Sequence, residues 1–218
     1  YKNGDLAASG ALHTTAVVSP CGAFSAGIIG AIATDPKHRQ SGLATTVMEQ
    51  LEVVARQKKC DFLVLWSDQT DFYQKLGFSP LGKQEVYLLS DLCGDVHEIS
   101  NILTKTPGNA TYGWNQDEVS KLYEKHSMRC VRPKTYWNEI EKIRSCTRLQ
   151  WLNPEGTVQA YLAFDRGKDL KGIVHEWGGE RNALVKLVAA ALGKRPELAW
   201  LTHPGLEDPV TALAKGEA

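Results

Sequence analysis

The chain has 218 residues, enough for one large domain or two small ones. Its 25 basic and 25 acidic residues leave a formal net charge of zero, which argues against bulk binding to nucleic acid or to an anionic membrane surface. At 43% hydrophobic and 23% charged it has the composition of a globular protein, and no run approaches the ~20 apolar residues of a membrane span.

In chain order, Leu6 to Ser19 is small, polar and β-branched and reads as a strand ending at Pro20. Ala26 to Thr34 is the next strand, making a hairpin with a loop around Ser19 to Phe24. Leu43, Val47, Met48, Leu51, Val54 and Ala55 recur at helical spacing and predict a helix from Leu43 to Lys58. Asp61 to Trp66 is a short continuous apolar run, the pattern of a buried central strand. Ser67 or Asp68 caps a short helix through Leu76, and Gly77 ends it. Phe78 to Leu89 reads as one or two strands. The texture loosens from Asp91 to Tyr112, where Thr106 to Asn109 is turn chemistry. Asn115 then caps a helix with Glu118 three residues on. Pro133 opens another helix carrying Tyr136, Trp137, Ile140 and Ile143. Next come strands over Thr147–Leu152, Thr157–Phe164 and Gly172–Trp177, a helix over Glu180–Leu192 and a strand over Leu198–Thr202; the tail from Asp208 reads as loose. The expected organisation is therefore residues 1–95, a linker at 96–112, and a second domain at 113–218.

The most informative stretch is Asp35-Pro-Lys-His-Arg-Gln-Ser-Gly-Leu-Ala44, between an apolar run and an amphipathic one. The first N–H groups of a helix have no partner within it, and the helix dipole adds positive character there. A phosphate fits that end, and Gly42 lets it approach the backbone. Lys37, His38 and Arg39 add charge around it. Arg39-Gln40-Ser41-Gly42-Leu43-Ala44 fits the pattern Arg/Gln-x-x-Gly-x-Gly/Ala, and so resembles the acyl-CoA pyrophosphate signature of the GNAT N-acetyltransferase superfamily. Asp71-Phe-Tyr-Gln-Lys-Leu-Gly-Phe78 resembles a second element of the same family. The resemblance implies an α/β fold with mixed sheets and acetyl-CoA as co-substrate. It covers the first half by motif. The second half matches only in element order: Gly27–Trp66 and Gly172–Leu201 both read strand, turn, helix, strand. The chain thus resembles tandem GNAT proteins with one degenerate unit. Its first unit lacks the strand and two helices that open a complete GNAT domain, so part of the acceptor site is expected to be missing. The sequence opens on Tyr1, as a processed chain or a segment of a longer one would.

By the same resemblance, Ile32, Ala33 and Thr34 line the cofactor and the N–H groups of Arg39, Gln40, Ser41, Gly42, Leu43 and Ala44 take the pyrophosphate. Tyr73 matches the family's general acid, since a phenol can protonate a departing thiolate held close and dry. Phe72 and Phe78 read as core. The general base is open: the strand from Ala26 to Ala33 has no carboxylate. Glu85 could act through water, with His175, Glu176 and the C-terminal carboxylate at Ala218 as other candidates. Trp114, Trp137, Trp151, Trp177 and Trp200 could line an acceptor pocket, though core packing is the plainer reading.

Five cysteines, odd in number and widely spaced, form no zinc-like cluster and read as reduced thiols, so no metal is expected. With no secretory signal visible, the expected location is cytoplasmic. The expected function is transfer of an acetyl group from acetyl-CoA to a primary amine, either a small molecule or a peptide, in a chain that could form a homodimer. The alternative is a non-catalytic acyl-CoA-binding regulatory or sensor module.

Overall fold

The structure is a computed structural model that describes residues 4–89 and 105–202. The expected loose tail, Ala218 and much of the expected linker lie outside the described residues. Two compact units divide the chain: Tyr1–Leu81 with Ser127–Val131, and Gly82–His126 with Arg132–Ala218. Among the described residues no helix is long and apolar enough to cross a membrane.

In the first unit, β1 (Ala8–Ser19) and β2 (Gly22–Thr34) form a long antiparallel hairpin. Ser19 pairs with Gly22, so the connection is two residues, tighter than the loop through Phe24 that the sequence predicts. The Gly22 φ of 134° and the Ser19 hydroxyl, which accepts from Cys21 N, close it. A 3₁₀ turn (Pro36–His38) then leads to α1 (Leu43–Gln57), which returns the chain to β3 (Phe62–Val64), parallel to β2. Helix α1 buries Met48 and Ala55 and packs on β1 and β2, whereas Val54 is exposed. Packing is close at Gly10, where an added Cβ would meet Ile32 Cδ1 at 2.6 Å and Val47 Cγ1 at 2.7 Å. The short helix α2 (Thr70–Gln74) ends near Gly77, whose φ of 86° turns the chain back.

Strand β3 differs from expectation. The order is β3-β2-β1-β6, where β6 is the two-residue Arg129–Cys130 paired with Val17 and Val18 of β1. Thus β3 is an edge strand, not a buried central one, and Phe62 is 43% exposed. An apolar run reports hydrophobicity but not which strands flank it.

The second unit is a six-stranded sheet of order β4-β10-β9-β8-β7-β5. Its strands are β4 (Glu85–Leu88), β5 (Asn109–Tyr112), β7 (Thr147–Leu152), β8 (Val158–Arg166), β9 (Leu170–Gly179) and β10 (Ala199–Thr202). Neighbours are antiparallel except β9 and β10, which are parallel and joined through α5 (Arg181–Leu192). Helix α5 covers one face with Leu184, Leu187 and Val188 against Leu162, Phe164, Val174 and Trp200. The other face carries α3 (Gln116–Tyr123), whose N-terminal N–H of Glu118 is capped by Asn115 as expected, and α4 (Lys134–Glu141). Strand β8 is covered on both faces, which explains its nearly unbroken apolar run.

At Gly179 an added Cβ would lie 2.2 Å from Gln159 O and 2.5 Å from Ala160 Cα, and φ is +115°. Backbone cannot yield as a side-chain tip can. Gly179→Ala is therefore expected to destabilise the chain by about 3 kcal/mol, read as a fall in the denaturant midpoint, while Gly167→Ala, whose Cβ meets nothing within 4 Å, costs less.

Candidate functional site

The site begins where two strands part. Ala26, Gly27 and Ile28 of β2 pair with Phe62, Leu63 and Val64 of β3, and the ladder stops there. From Ile29 to Thr34, β2 keeps its partner β1 but has none on the other side among the described residues. Such an edge exposes N–H and C=O groups that need partners. Within it lies a β-bulge: Gly30 pairs with Ala11 and Ala33 with Ser9, so two residues of β2 oppose one of β1. Ala31 there has φ 54°, unusual for a residue with a Cβ. Ile32 turns its side chain over Gly10 toward α1 and so offers the open edge only backbone.

The end of β2 runs into the basic turn. Asp35 Oδ1 accepts from Lys37 N at 2.8 Å, and Asp35 N donates to Ala7 O at 2.8 Å. Ser41 Oγ donates to His38 O at 2.5 Å. Gln40 (φ 61°) and Gly42 (φ 77°) both take left-handed backbone, which swings the chain onto the start of α1. No side chain caps this helix and no acidic residue sits in its first turn, so its first N–H groups are left for a ligand. A Cβ built on Gly42 would meet nothing within 4 Å. Arg39, Gln40, Ser41 and Gly42 are exposed, and Leu43 and Ala44 are half-buried. Unpartnered strand edge and uncapped helix end thus lie in one continuous segment, Ile29 to Ala44. Its donor set suits an acyl-CoA thioester arm and diphosphate.

Tyr73 is half-buried between Phe72 and Phe78, edge-to-face with centroids at 4.9 and 6.0 Å. The left-handed Gly77 and the bond from Phe78 N to Tyr73 O (3.1 Å) bring Phe78 back onto the tyrosine. Glu85 falls in the second unit, paired across β4 and β10 with Thr202, and its carboxylate accepts from the Tyr87 hydroxyl at 2.5 Å. The expected domain span of 1–95 had put it with Tyr73; the units part after Leu81. Among the described residues no group of three His, Cys, Asp or Glu side chains is placed to hold a metal ion.

The other candidate carboxylate and histidine are engaged inside the second unit. Glu176 accepts from Arg132 at 2.5 Å in a pair whose side chains are 10% and 14% exposed, and Arg132 lies 4.1 Å over the Tyr123 ring. Burial opposes the charge on Arg132, but Glu176 beside it outweighs burial and holds the guanidinium above its ordinary range. Burial likewise raises the buried Tyr161 phenol, keeping it neutral, and raises the Cys146 thiol, which is therefore a poor nucleophile. The strand pair β9/β10 also parts, its last partners being Val174 and Trp200. Near that point Trp177 and Trp200 lie 5.4 Å apart in the core packed with α5, Trp200 is wholly buried, and His126 Nε2 hydrogen-bonds Trp177 O at 2.8 Å. Sequence reading missed the bulge, the β6 strand and this contact. Glycines at 27 and 30 within a strand were the available signal for the first.

The first unit is thus an α/β unit whose parallel strand pair parts beside the uncapped start of a helix. Residues 1–81 match the family model described as "Acetyltransferase (GNAT) domain". Solved structures agree in fold. The GCN5-related N-acetyltransferase of Anabaena variabilis ATCC 29413 aligns at TM-score 0.68 and 14% identity, over 98% of this chain and 56% of its own. That of Kribbella flavida aligns at 0.64 and 14%, over 98% and 54%. Saccharomyces cerevisiae N-myristoyltransferase with bound myristoyl-CoA aligns at 0.60 and 8%, over 97% and 64%. The chain thus spans little more than half the length of the GCN5-related structures. No curated protein matches the sequence.

Burial pushes the His175 imidazole below its ordinary value, with Glu176 only partly opposing. The folded state therefore resists a proton that the unfolded chain accepts below about pH 6.5. Folding stability is expected to be full above that pH and to fall as pH drops through it toward the lower folded value. Denaturant midpoints at pH 7.5 and 5.5 check this; His175→Gln should flatten the slope.

Proposed function

We propose that the chain is an N-acetyltransferase that moves the acetyl group of acetyl-CoA to a primary amine. The observation that carries this reading is the free edge of β2 beyond Ile28, which runs without interruption into the uncapped start of α1. Backbone groups of Ile32, Ala33 and Thr34 hold the pantetheine arm and polarise the thioester carbonyl, and the N–H groups from Arg39 to Ala44 hold the diphosphate. Oriented donors of this kind are worth ~3–4 kcal/mol where negative charge develops. The neutral amine nitrogen attacks the carbonyl carbon and loses a proton to solvent, directly or through Glu85 and water; the C–S bond breaks, the thiolate takes the Tyr73 proton, and solvent reprotonates the phenolate. The bound myristoyl-CoA of the yeast relative supports an acyl-CoA ligand for this fold. The second unit is a degenerate counterpart without a cofactor. Its β9–α5–β10 crossover repeats β2–α1–β3, and past the equivalent parting the Trp177 carbonyl is already engaged by His126.

A cofactor-sensing module without turnover is the second reading, favoured by the lack of any carboxylate on β2. Calorimetric titration with acetyl-CoA comes first: micromolar binding is expected, abolished in Gly42→Glu and retained in Gly42→Ala, which shares the backbone strain but not the charge. No binding by the parent chain would remove both readings. Tyr73→Phe is expected to keep acetyl-CoA binding and to lower kcat about 100-fold; an unchanged kcat would remove Tyr73 as the acid. Glu85→Gln tests the base separately, since a proton passed to solvent would leave kcat as it was.

A further inference from the structure

Gly10 of β1 sits where a strand and a helix pack on one point. The β1/β2 ladder pairs Ser9 with Ala33 and Ala11 with Gly30, which leaves Gly10 facing Ala31 and Ile32, the two residues of the bulge. A Cβ built there would meet Ile32 Cδ1 of β2 at 2.6 Å, Val47 Cγ1 of α1 at 2.7 Å and Leu51 Cδ1 of α1 at 3.0 Å. Gly10 is not among the glycines with left-handed backbone, so packing rather than conformation accounts for its bare Cα. The other close glycine of the hairpin, Gly27, would meet Leu63, Leu12 and Cys60, none of them on α1.

These neighbours belong to the two halves of the segment that the acetyltransferase reading, on which this inference rests, assigns to the cofactor. Ile32 opens the strand backbone given to the thioester arm. Val47 stands one turn beyond Leu43, at the helix start given to the diphosphate. No residue of the connection from Ala33 to Gly42 is buried, so no core side chain there braces one half against the other. Their spacing is therefore set by the surface on which both pack, the bare backbone of Gly10. A ligand that engages both halves at once is sensitive to that spacing: a mismatch weakens the whole molecule while each end keeps its own contacts.

We propose that Gly10 is a positioning residue for the cofactor, the common seat that fixes the distance between the thioester-binding edge of β2 and the diphosphate-binding start of α1. The test compares acetyl-CoA with its two halves, S-acetylpantetheine and ADP, on the parent chain and on Gly10→Ala. By calorimetry, Gly10→Ala should bind acetyl-CoA about tenfold more weakly, while its affinity for each half, followed by amide resonances, should change by no more than about twofold. Adding Ile32→Val and Val47→Ala, which remove the two atoms nearest the new Cβ, should restore acetyl-CoA binding. Should Gly10→Ala not fold, Val47→Ala alone loosens the same seat from the helix side and should show the same contrast between the whole cofactor and its halves. Unchanged acetyl-CoA affinity, equal losses for the whole and the halves, or no rescue overturns the proposal. A parent chain that binds neither acetyl-CoA nor its halves removes the acetyltransferase reading instead. The ligand-free amide resonances of Thr34 and Ala44 then decide the seat: both should move in Gly10→Ala, and a shift confined to one of them overturns it.

Discussion

The parting of β2 from β3 after Ile28 is the constraint on which the first unit depends. Strand β2 has 13 residues and β3 only three, so half of β2 has one partner at most. Left alone, that edge would carry unpaired backbone groups, a liability that proteins usually cover. Here it is kept open by small residues: Gly30, Ala31 and Ala33 bring no bulk that could fold over it. The bulge stores local strain at Ala31 and re-aims the strand toward the basic turn. Gly10 makes this possible from the other side, because only a residue without Cβ lets Ile32 and Val47 close above it. The shape of the open edge therefore depends on a packing detail on the far face of the hairpin.

The second unit repeats the topology with different side chains. A parallel pair joined through a helix again parts after two or three partners. After the last pair its strand β9 carries His175, Glu176 and Trp177 where β2 carries Ile29, Gly30 and Ala31. Trp177 stacks on Trp200, and His126 supplies the hydrogen bond that the Trp177 carbonyl would otherwise seek from a ligand. Gly178 is needed for this arrangement, since a Cβ there would meet Tyr161 Cε1 at 2.7 Å and His126 Nε2 at 3.0 Å.

Local features were legible in the sequence and partner choice was not. Helix α1, the Asn115 cap of α3, the helix after Pro133 and the β7 to β10 series follow from periodicity and capping chemistry, which act within a few residues. The basic turn before α1 was legible for the same reason. Strand β6 was not, because two residues have no propensity worth reading; Arg129 and Cys130 are extended because Val17 and Val18 pair with them. Asp61 to Trp66 read as buried because apolar content says nothing about neighbours, yet β3 lies at a sheet edge. Glu85 read correctly as a strand residue, but its partner is Thr202, and sequence distance hid the sheet to which it belongs.

Net charge was equally silent about the arrangement of charge. Twenty-five residues of each sign cancel over the chain, which removes any long-range pull on an anionic or cationic partner. At the carboxyl end of the β2/β3 pair the signs nevertheless separate by loop: basic after β2, acidic and aromatic after β3. Both loops emerge at the same end because the strands are parallel, the place where open α/β sheets collect their ligands. The parallel pair thus gathers opposite signs at one end of the sheet, an arrangement that a net charge of zero conceals because the sum over the chain carries no information about which loops share an end.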